Sequence, residues 1–292
     1  MNERKIYALG FFDGVHLGHQ ALLKACCDLA ATVGAKPAAI TFSKHPQALF
    51  RHDPPPLLSG EADRDQLLRQ YGIQHICKLP VIKEVMSTPW ADFLDFLTAD
   101  GAVGFVCGDD FRFGNRGEGN AEKLQQYCRQ RSLPCITVPE QLWEGIRISS
   151  TAIRRLLEVG DVTKANALLG HPHTVTGQVV KGRQLGRTIG IPTANLELSS
   201  EILCPRHGVY ACQVQIEDQQ YMAVTNVGTR PTVNGHHITV EPWILDFEGD
   251  LYGKTITLLF HEFLRPEQKF DSLDELKQQI HADAQKTRTF LQ

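Results

Sequence analysis

Along roughly the first 160 residues, short apolar runs alternate with longer stretches of helical period. That alternation implies a parallel sheet covered on both faces. The runs predict strands at 5–9, 36–42, 73–79, 102–108 and 134–138, and the longer stretches predict helices at 17–33, 62–71, 89–98 and 121–131. The first helix is the clearest, with Leu22, Cys26, Leu29, Ala30 and Val33 on one stripe and Gly34 placed to stop it. Helices at 150–159 and 161–169 then lead to the step His171-Pro172. From about Thr174 the segments shorten and become β-branched: Thr174 to Val180, Val209 to Ile216, Tyr221 to Val227, Ile238 to Phe247 and Thr255 to Phe263. They read as a small antiparallel barrel, followed by a helix from Ser272 to Phe290 with Glu275 at the capping-box position. The expectation is an α/β chain of two domains, 1–170 and 171–292, with a Rossmann-like first half and an antiparallel β-barrel second half.

A net charge of −3 over 292 residues argues against a nucleic-acid binder that works through bulk charge. No apolar run approaches membrane-spanning length, and the N-terminus enters the first strand without a signal-peptide core, so a cytoplasmic protein is expected. The eight cysteines contain no Cys-x-x-Cys and read as buried free thiols.

The chemistry concentrates where the predicted strands end. Gly10-Phe11-Phe12-Asp13-Gly14 closes the first strand, and His16-Leu17-Gly18-His19 opens the helix after it. Strand ends of this kind hold nucleotide phosphates on the unpaired N–H groups and positive dipole end of a helix. His16 and His19, three apart, share a face; neutral imidazole can donate to phosphate and charged imidazole can neutralise it. Gly18 would keep bulk away from an approaching triphosphate. After the fourth strand, Asp109 and Asp110 stand beside Phe111, Arg112 and Phe113, a grouping that is costly unless something polar binds there or a turn accommodates it. In Ile148-Ser149-Ser150-Thr151-Ala152-Ile153-Arg154, hydroxyl residues precede arginine in a first helical turn, which makes a second anion site. In the barrel, Thr193 and Asn195 lie two apart on an extended segment and turn a hydroxyl and an amide oxygen to one side, neutral donors that suit Mg²⁺. Glu241 is a conspicuous carboxylate in an apolar strand and a candidate base.

Together, Gly10 to His19, Asp110 to Gly114, Ile148 to Arg154, Gly177 to Gly182, Gly186 to Leu196, Asn226 to Thr232 and Glu241 to Gly253 resemble the bifunctional riboflavin kinase/FAD synthetase family. The resemblance covers essentially the whole chain. It implies an FMN adenylyltransferase domain at 1–170 and a riboflavin kinase domain at 171–292, with ATP, riboflavin, FMN and FAD as substrates and products and Mg²⁺ as cofactor. It assigns catalysis to His16, His19, Arg154 and Glu241. Nucleotide binding falls to Gly10, Phe12, Asp13, Gly18, Ser150, Thr151, Lys181, Gly182, Gly186, Arg187, Thr193 and Asn195. Thr193 and Asn195 would also hold the metal, and Asp110, Phe111, Phe113 and Arg230 would meet the flavin. Phe111 and Phe113 could line the flavin pocket or merely pack its wall. The partners implied are small molecules, without nucleic acid or membrane, for a monomer or weak homo-oligomer. Relatives usually show Glu-x-His where this chain has Glu241-Pro242-Trp243, so Pro242 predicts an edge or a bulge and Trp243 occupies the imidazole's place. Asp246 is then a second candidate base. Two rivals remain open at this point: a nucleotidyltransferase for another cofactor with the barrel as a binding module, and a non-enzymatic flavin carrier.

Overall fold

The computed structural model describes residues 3–182, 186, 190–232 and 235–292, without the side chains of 230–237. The chain forms two compact units, 1–57 with 61–150, and 58–60 with 151–292.

In the first unit, Lys5–Leu9 (β1), Lys36–Phe42 (β2), His75–Leu79 (β3), Ala102–Gly108 (β4) and Cys135–Val138 (β5) make a sheet of order β3-β2-β1-β4-β5, parallel throughout. β1 is buried along its whole length, and its alternating residues feed two cores. Ile6 and Ala8 pack with Leu23, Cys26 and Ala30 of the helix Leu17–Val33 (α1) and Leu68 of Glu61–Gln70 (α2). On the opposite face Tyr7 and Leu9 pack with Leu94 and Leu97 of the helix Trp90–Ala99, and with Leu124 and Tyr127 of Ala121–Gln130. α1 stops at Gly34, whose φ of 62° is left-handed. Because β1 pairs with β2 on one side and β4 on the other, the connections reverse between β1 and β4 and open a crevice at their carboxyl ends. The sequence did not predict the exposed hairpin of Leu142–Trp143 and Ile146–Arg147, whose strands are too short to show a period.

In the second unit, His173–Val180 (β6), Asn195–Glu197 (β7), Gly208–Ile216 (β8), Gln219–Thr232 (β9), Gly235–Ile244 (β10) and Thr255–Arg265 (β11) close an antiparallel barrel of order β8-β9-β10-β7-β6-β11. Burial along β6 alternates with period two, as a barrel wall requires. The helix Leu273–Leu291 (α3) is capped by Ser272, whose Oγ accepts Glu275 N–H at 3.2 Å, while Glu275 Oε2 reaches back past the N-cap to accept from Asp271 N–H at 3.2 Å.

The two units part between Ser150 and Thr151, ahead of the expected boundary at Gly170. The reason is packing. The helix Val162–Leu169 (α4) buries Val162, Ala165, Leu168 and Leu169, and its Asn166 donates to Phe260 O at 2.8 Å and accepts from His173 N–H at 2.7 Å. The preceding helix Ser150–Val159 (α5) accepts Arg206 N–H at Leu157 O, 2.9 Å.

Candidate functional site

The turn after β1 is sealed and strained. Phe12, Asp13, Gly14, Val15 and His16 are all buried, and Phe12, Gly14 and Val15 have φ of 59°, 75° and 39°. A positive φ at β-branched Val15 is costly and persists only where the surroundings impose it. A Cβ at Gly10 would lie 2.9 Å from the Phe12 ring, so that ring can fold over the strand end only above glycine. Ser150 donates from Oγ to Asp13 O at 3.1 Å, which ties the Ser149-Ser150 segment to the turn.

His16 caps α1 through Nδ1, which accepts His19 N–H at 3.3 Å, so a neutral His16 carries its proton on Nε2. The two imidazoles stack with centroids 3.6 Å apart and planes 15° from parallel. His19 also meets the Phe12 ring edge-on, and its Nδ1 is sealed without a partner. Burial, reinforced by the neighbouring His16, holds the His19 pKa well below 6.5. Near neutral pH it is therefore a hydrogen-bond donor rather than a cation. A Cβ at Gly18 would come within 3.2 Å of the His16 ring, so the glycine also leaves room for that imidazole.

Beside this turn lies a cavity of about 300 Å³, walled by Gly10, Phe11, Phe42, Phe93, Phe111 and Phe113 among others. Phe111 and Phe113 both line it and lie nearly parallel, 5.7 Å apart. Asp110 is not among its lining residues. It is exposed and ion-paired with Arg147 of the hairpin, while Asp109 accepts Glu140 N–H at 3.3 Å, so the adjacent acids are satisfied at the surface. Thr151 is exposed on the first turn of α5, and Arg154, expected there, is half-buried at the start of the second, because the helix begins at Ser150. Arg64 of α2 is a feature the sequence reading missed. It is fully buried, donates to Phe42 O at 2.7 Å, and holds its guanidinium 4.9 Å from the centre of the Phe11 ring. Its signal was faint: Arg64 shares a helical face with Leu68, but it sits in the polar run Glu61-Ala62-Asp63-Arg64-Asp65.

In the barrel unit, Thr193 stands between two cavities. One, of about 90 Å³, is also lined by Pro192, Ala194 and Tyr252; the other, of about 420 Å³, includes Asn226, Glu241, Trp243, Glu267 and a buried ion pair from Arg265 Nε to Asp283 Oδ2 at 2.8 Å. Asn195 opens β7, and a Cβ at Gly182 would fall 2.3 Å from its amide nitrogen, so the glycine backbone lies directly on the Asn195 side chain. Gly186 O accepts Ile191 N–H at 2.8 Å, and Lys181 is exposed. Arg187 lies outside the described residues, and Arg230 stands in β9 opposite His237.

Glu241 pairs in register with Asn226 across β9 and β10. Of the two expected settings for Pro242 there is no bulge, and the local edge is the one that fits. The β9–β10 register runs unbroken from Ala223↔Ile244 to Thr232↔Gly235. Pro242 O accepts Ala194 N–H at 2.9 Å, so the proline nitrogen faces the β7 side, where pairing is limited to Val240↔Leu196 and no ladder donor is missed. Trp243 lines the larger cavity and meets His281 of α3 edge-on at 5.6 Å. Asp246 is exposed and doubly bonded to Arg288 at 2.6 and 2.9 Å, on neither cavity wall.

The two units match two family models, FAD synthetase over residues 1–152 and riboflavin kinase over 169–291. Relatives named bifunctional riboflavin kinase/FMN adenylyltransferase include one from Listeria monocytogenes, 34% identical over 98% of this chain and 92% of the relative. Another, from Escherichia coli K12, is 36% identical over 99% and 93%. A crystal structure described as a macrolide-efflux protein from Streptococcus pneumoniae matches with a TM-score of 0.91 at 34% identity, covering 99% of this chain and 95% of that one. Among the described residues of this chain, no helix is long and apolar enough to cross a membrane. With both matches falling in order on the two units, and with relatives aligned from end to end, the chain belongs to the bifunctional riboflavin kinase/FMN adenylyltransferase family.

Proposed function

We propose that this chain phosphorylates riboflavin to FMN in its barrel and adenylylates FMN to FAD at the edge of its parallel sheet, with ATP the second substrate of both steps. One observation carries the reading: each unit has a cavity of ligand-binding size, the first lined by Gly10 and Phe11 at the start of the turn that leads to the stacked His16 and His19, the second lined by Thr193 and Glu241 themselves. The activities divide as residues 1–170 and 171–292, in a cytoplasmic enzyme of small-molecule substrates that is a monomer or weak homo-oligomer and binds no nucleic acid.

In the barrel, riboflavin lies in the larger cavity with its primary ribityl hydroxyl toward Glu241 and Thr193. The hydroxyl oxygen attacks the γ-phosphorus of ATP, the Glu241 carboxylate accepts its proton, and the bond to the ADP oxygen breaks; the rest of catalysis is positioning. Thr193 and Asn195 fit a magnesium ion, since both offer neutral oxygens, Thr193 borders both cavities, and the Gly182 backbone fixes the Asn195 amide. Bound there, the ion would supply charge neutralisation on the phosphates. The family resemblance assigns Lys181, Gly182, Gly186 and Arg187 to the nucleotide.

In the first unit, a phosphate oxygen of FMN attacks the α-phosphorus of ATP and pyrophosphate leaves, without a covalent enzyme intermediate. His19 donates a hydrogen bond as a neutral group, His16 donates from Nε2, and the first turn of α1 adds its N–H groups and dipole. Ser150 stands with them, its hydroxyl held on Asp13 O, and the family resemblance assigns Thr151 and Arg154, the residues that follow it in sequence, to the nucleotide. Phe111 and Phe113 line the apolar seat for the flavin ring. Incubation with riboflavin and Mg-ATP, followed by chromatography, tests the reading: FMN and FAD together support it. FAD formed only from added FMN would leave a transferase with an inert barrel, and no product at all would leave a flavin carrier.

A further inference from the structure

A buried polar side chain with unmet donors is a standing cost unless a ligand completes its bonding. Arg64 is such a side chain. It is fully buried, yet Nε and Nη1 have no hydrogen-bond partner, and only Nη2 is hydrogen-bonded, to Phe42 O. Burial pulls its pKa down, while the charges of Asp13, Asp65 and Glu61 pull it back up. A guanidinium nevertheless remains charged in a protein. Its surroundings place it at the substrate end of the sheet. Phe42 ends β2, Phe11 follows β1, and both line the aromatic cavity, so Arg64 stands directly behind that wall. Asp13, whose charge acts on it most strongly among the acids, belongs to the turn that carries His16. Planar N–H donors with a fixed charge are the side-chain chemistry that best matches phosphate oxygens.

Resting on the adenylyl-transfer reading, we propose that Arg64 is a further substrate-binding residue, whose unpaired N–H groups take a phosphate oxygen of FMN or of ATP when the Phe11 ring turns aside. The test uses the full chain with Arg64→Met and Arg64→Lys, measuring KM for FMN and for ATP separately in FAD formation. Loss of hydrogen bonds to a charged group predicts that methionine raises one KM by roughly 10- to 100-fold. A rise for FMN identifies the flavin phosphate as the partner, and a rise for ATP identifies the triphosphate. Lysine restores part of the loss. Without substrate the methionine variant melts no lower than the unaltered chain, because a buried cation with unmet donors has been removed. Riboflavin phosphorylation reports that the rest of the protein is intact.

The proposal fails if both KM values stay unchanged. It also fails if the methionine variant unfolds at lower temperature and lysine restores the melting point, since Arg64 would then be a brace of the fold. If the unaltered chain makes no FAD, the adenylyl-transfer reading itself has failed; if it makes FAD and only the KM effect is missing, Arg64 alone has been misassigned.

Discussion

Replacing His19 by alanine removes a ring whose Nδ1 is sealed without a partner and whose neighbours are the His16 imidazole and Phe12. The cap of α1 survives the change, because the group donating to His16 Nδ1 is the backbone N–H of residue 19. Loss of the ring stack costs about 0.5–1.5 kcal/mol, the range for aromatic pairs. Loss of one preorganised donor to the developing phosphate charge costs about 10²–10³ in rate, or about 2.7–4 kcal/mol, so the catalytic effect dominates. FAD formation from FMN and Mg-ATP should therefore fall by that factor while riboflavin phosphorylation in the same preparation stays near normal. The pH dependence is a second readout. With its folded pKa well below 6.5, His19 is already neutral at pH 6.5, and its contribution should not decline as the pH rises to 8. A histidine acting as a cation would lose its effect over that interval. Equal loss of both activities in a folded variant, or FAD formation within about threefold of the unaltered chain, would refute the assignment.

Three further expectations follow from the barrel unit. Glu241→Gln keeps nearly the same shape but cannot accept the hydroxyl proton, so FMN formation should drop by about 10²–10⁴ with FAD synthesis from added FMN spared; unchanged riboflavin phosphorylation would place the base elsewhere. Buried His173, bonded through Nε2 to Leu203 O at 3.1 Å, has its pKa pulled down to about 4, chiefly by burial. The unfolded chain takes up this proton first as pH falls, so stability is full above pH 6.5 and about 3 kcal/mol is lost on the way to pH 4. Urea unfolding across that range should show the decline, and His173→Gln should flatten it; an unaltered slope would contradict the assignment. A fragment of residues 171–292 lacks α4 and its four buried apolar side chains, a loss on the order of 5 kcal/mol, so it should be markedly less stable than a fragment of 151–292. Equal melting temperatures would show that α4 does not support the barrel.

The elements legible in the sequence are those whose side-chain period is strong. α1 runs from Leu17 to Val33 as the Leu22, Cys26 and Ala30 stripe requires, and all five parallel strands lie where apolar runs placed them. The exposed hairpin and the three-residue β7 are too short to carry a period. In the site, spacing alone paired His16 with His19, but their protonation depends on burial by a strained turn that no local pattern reveals. Gly18 was legible as a place for no side chain, while the ring it accommodates was not. Pro242 looked like an interruption because the sequence does not show which side of β10 its nitrogen faces. Arg64 was hidden for the same reason: a charged residue among charged neighbours reads as solvated until tertiary packing encloses it.

The central claim is that one chain transfers two different phosphorus atoms of ATP at two separate sites. The most direct measurement supplies the unaltered chain with riboflavin, Mg²⁺ and ATP labelled either at the γ- or at the α-phosphate, and follows the label through chromatographed products. The account predicts γ-label in FMN and in the FAD made from it, and α-label in FAD but not in FMN. Failure of either label to reach FAD, or α-label in FMN, would contradict it.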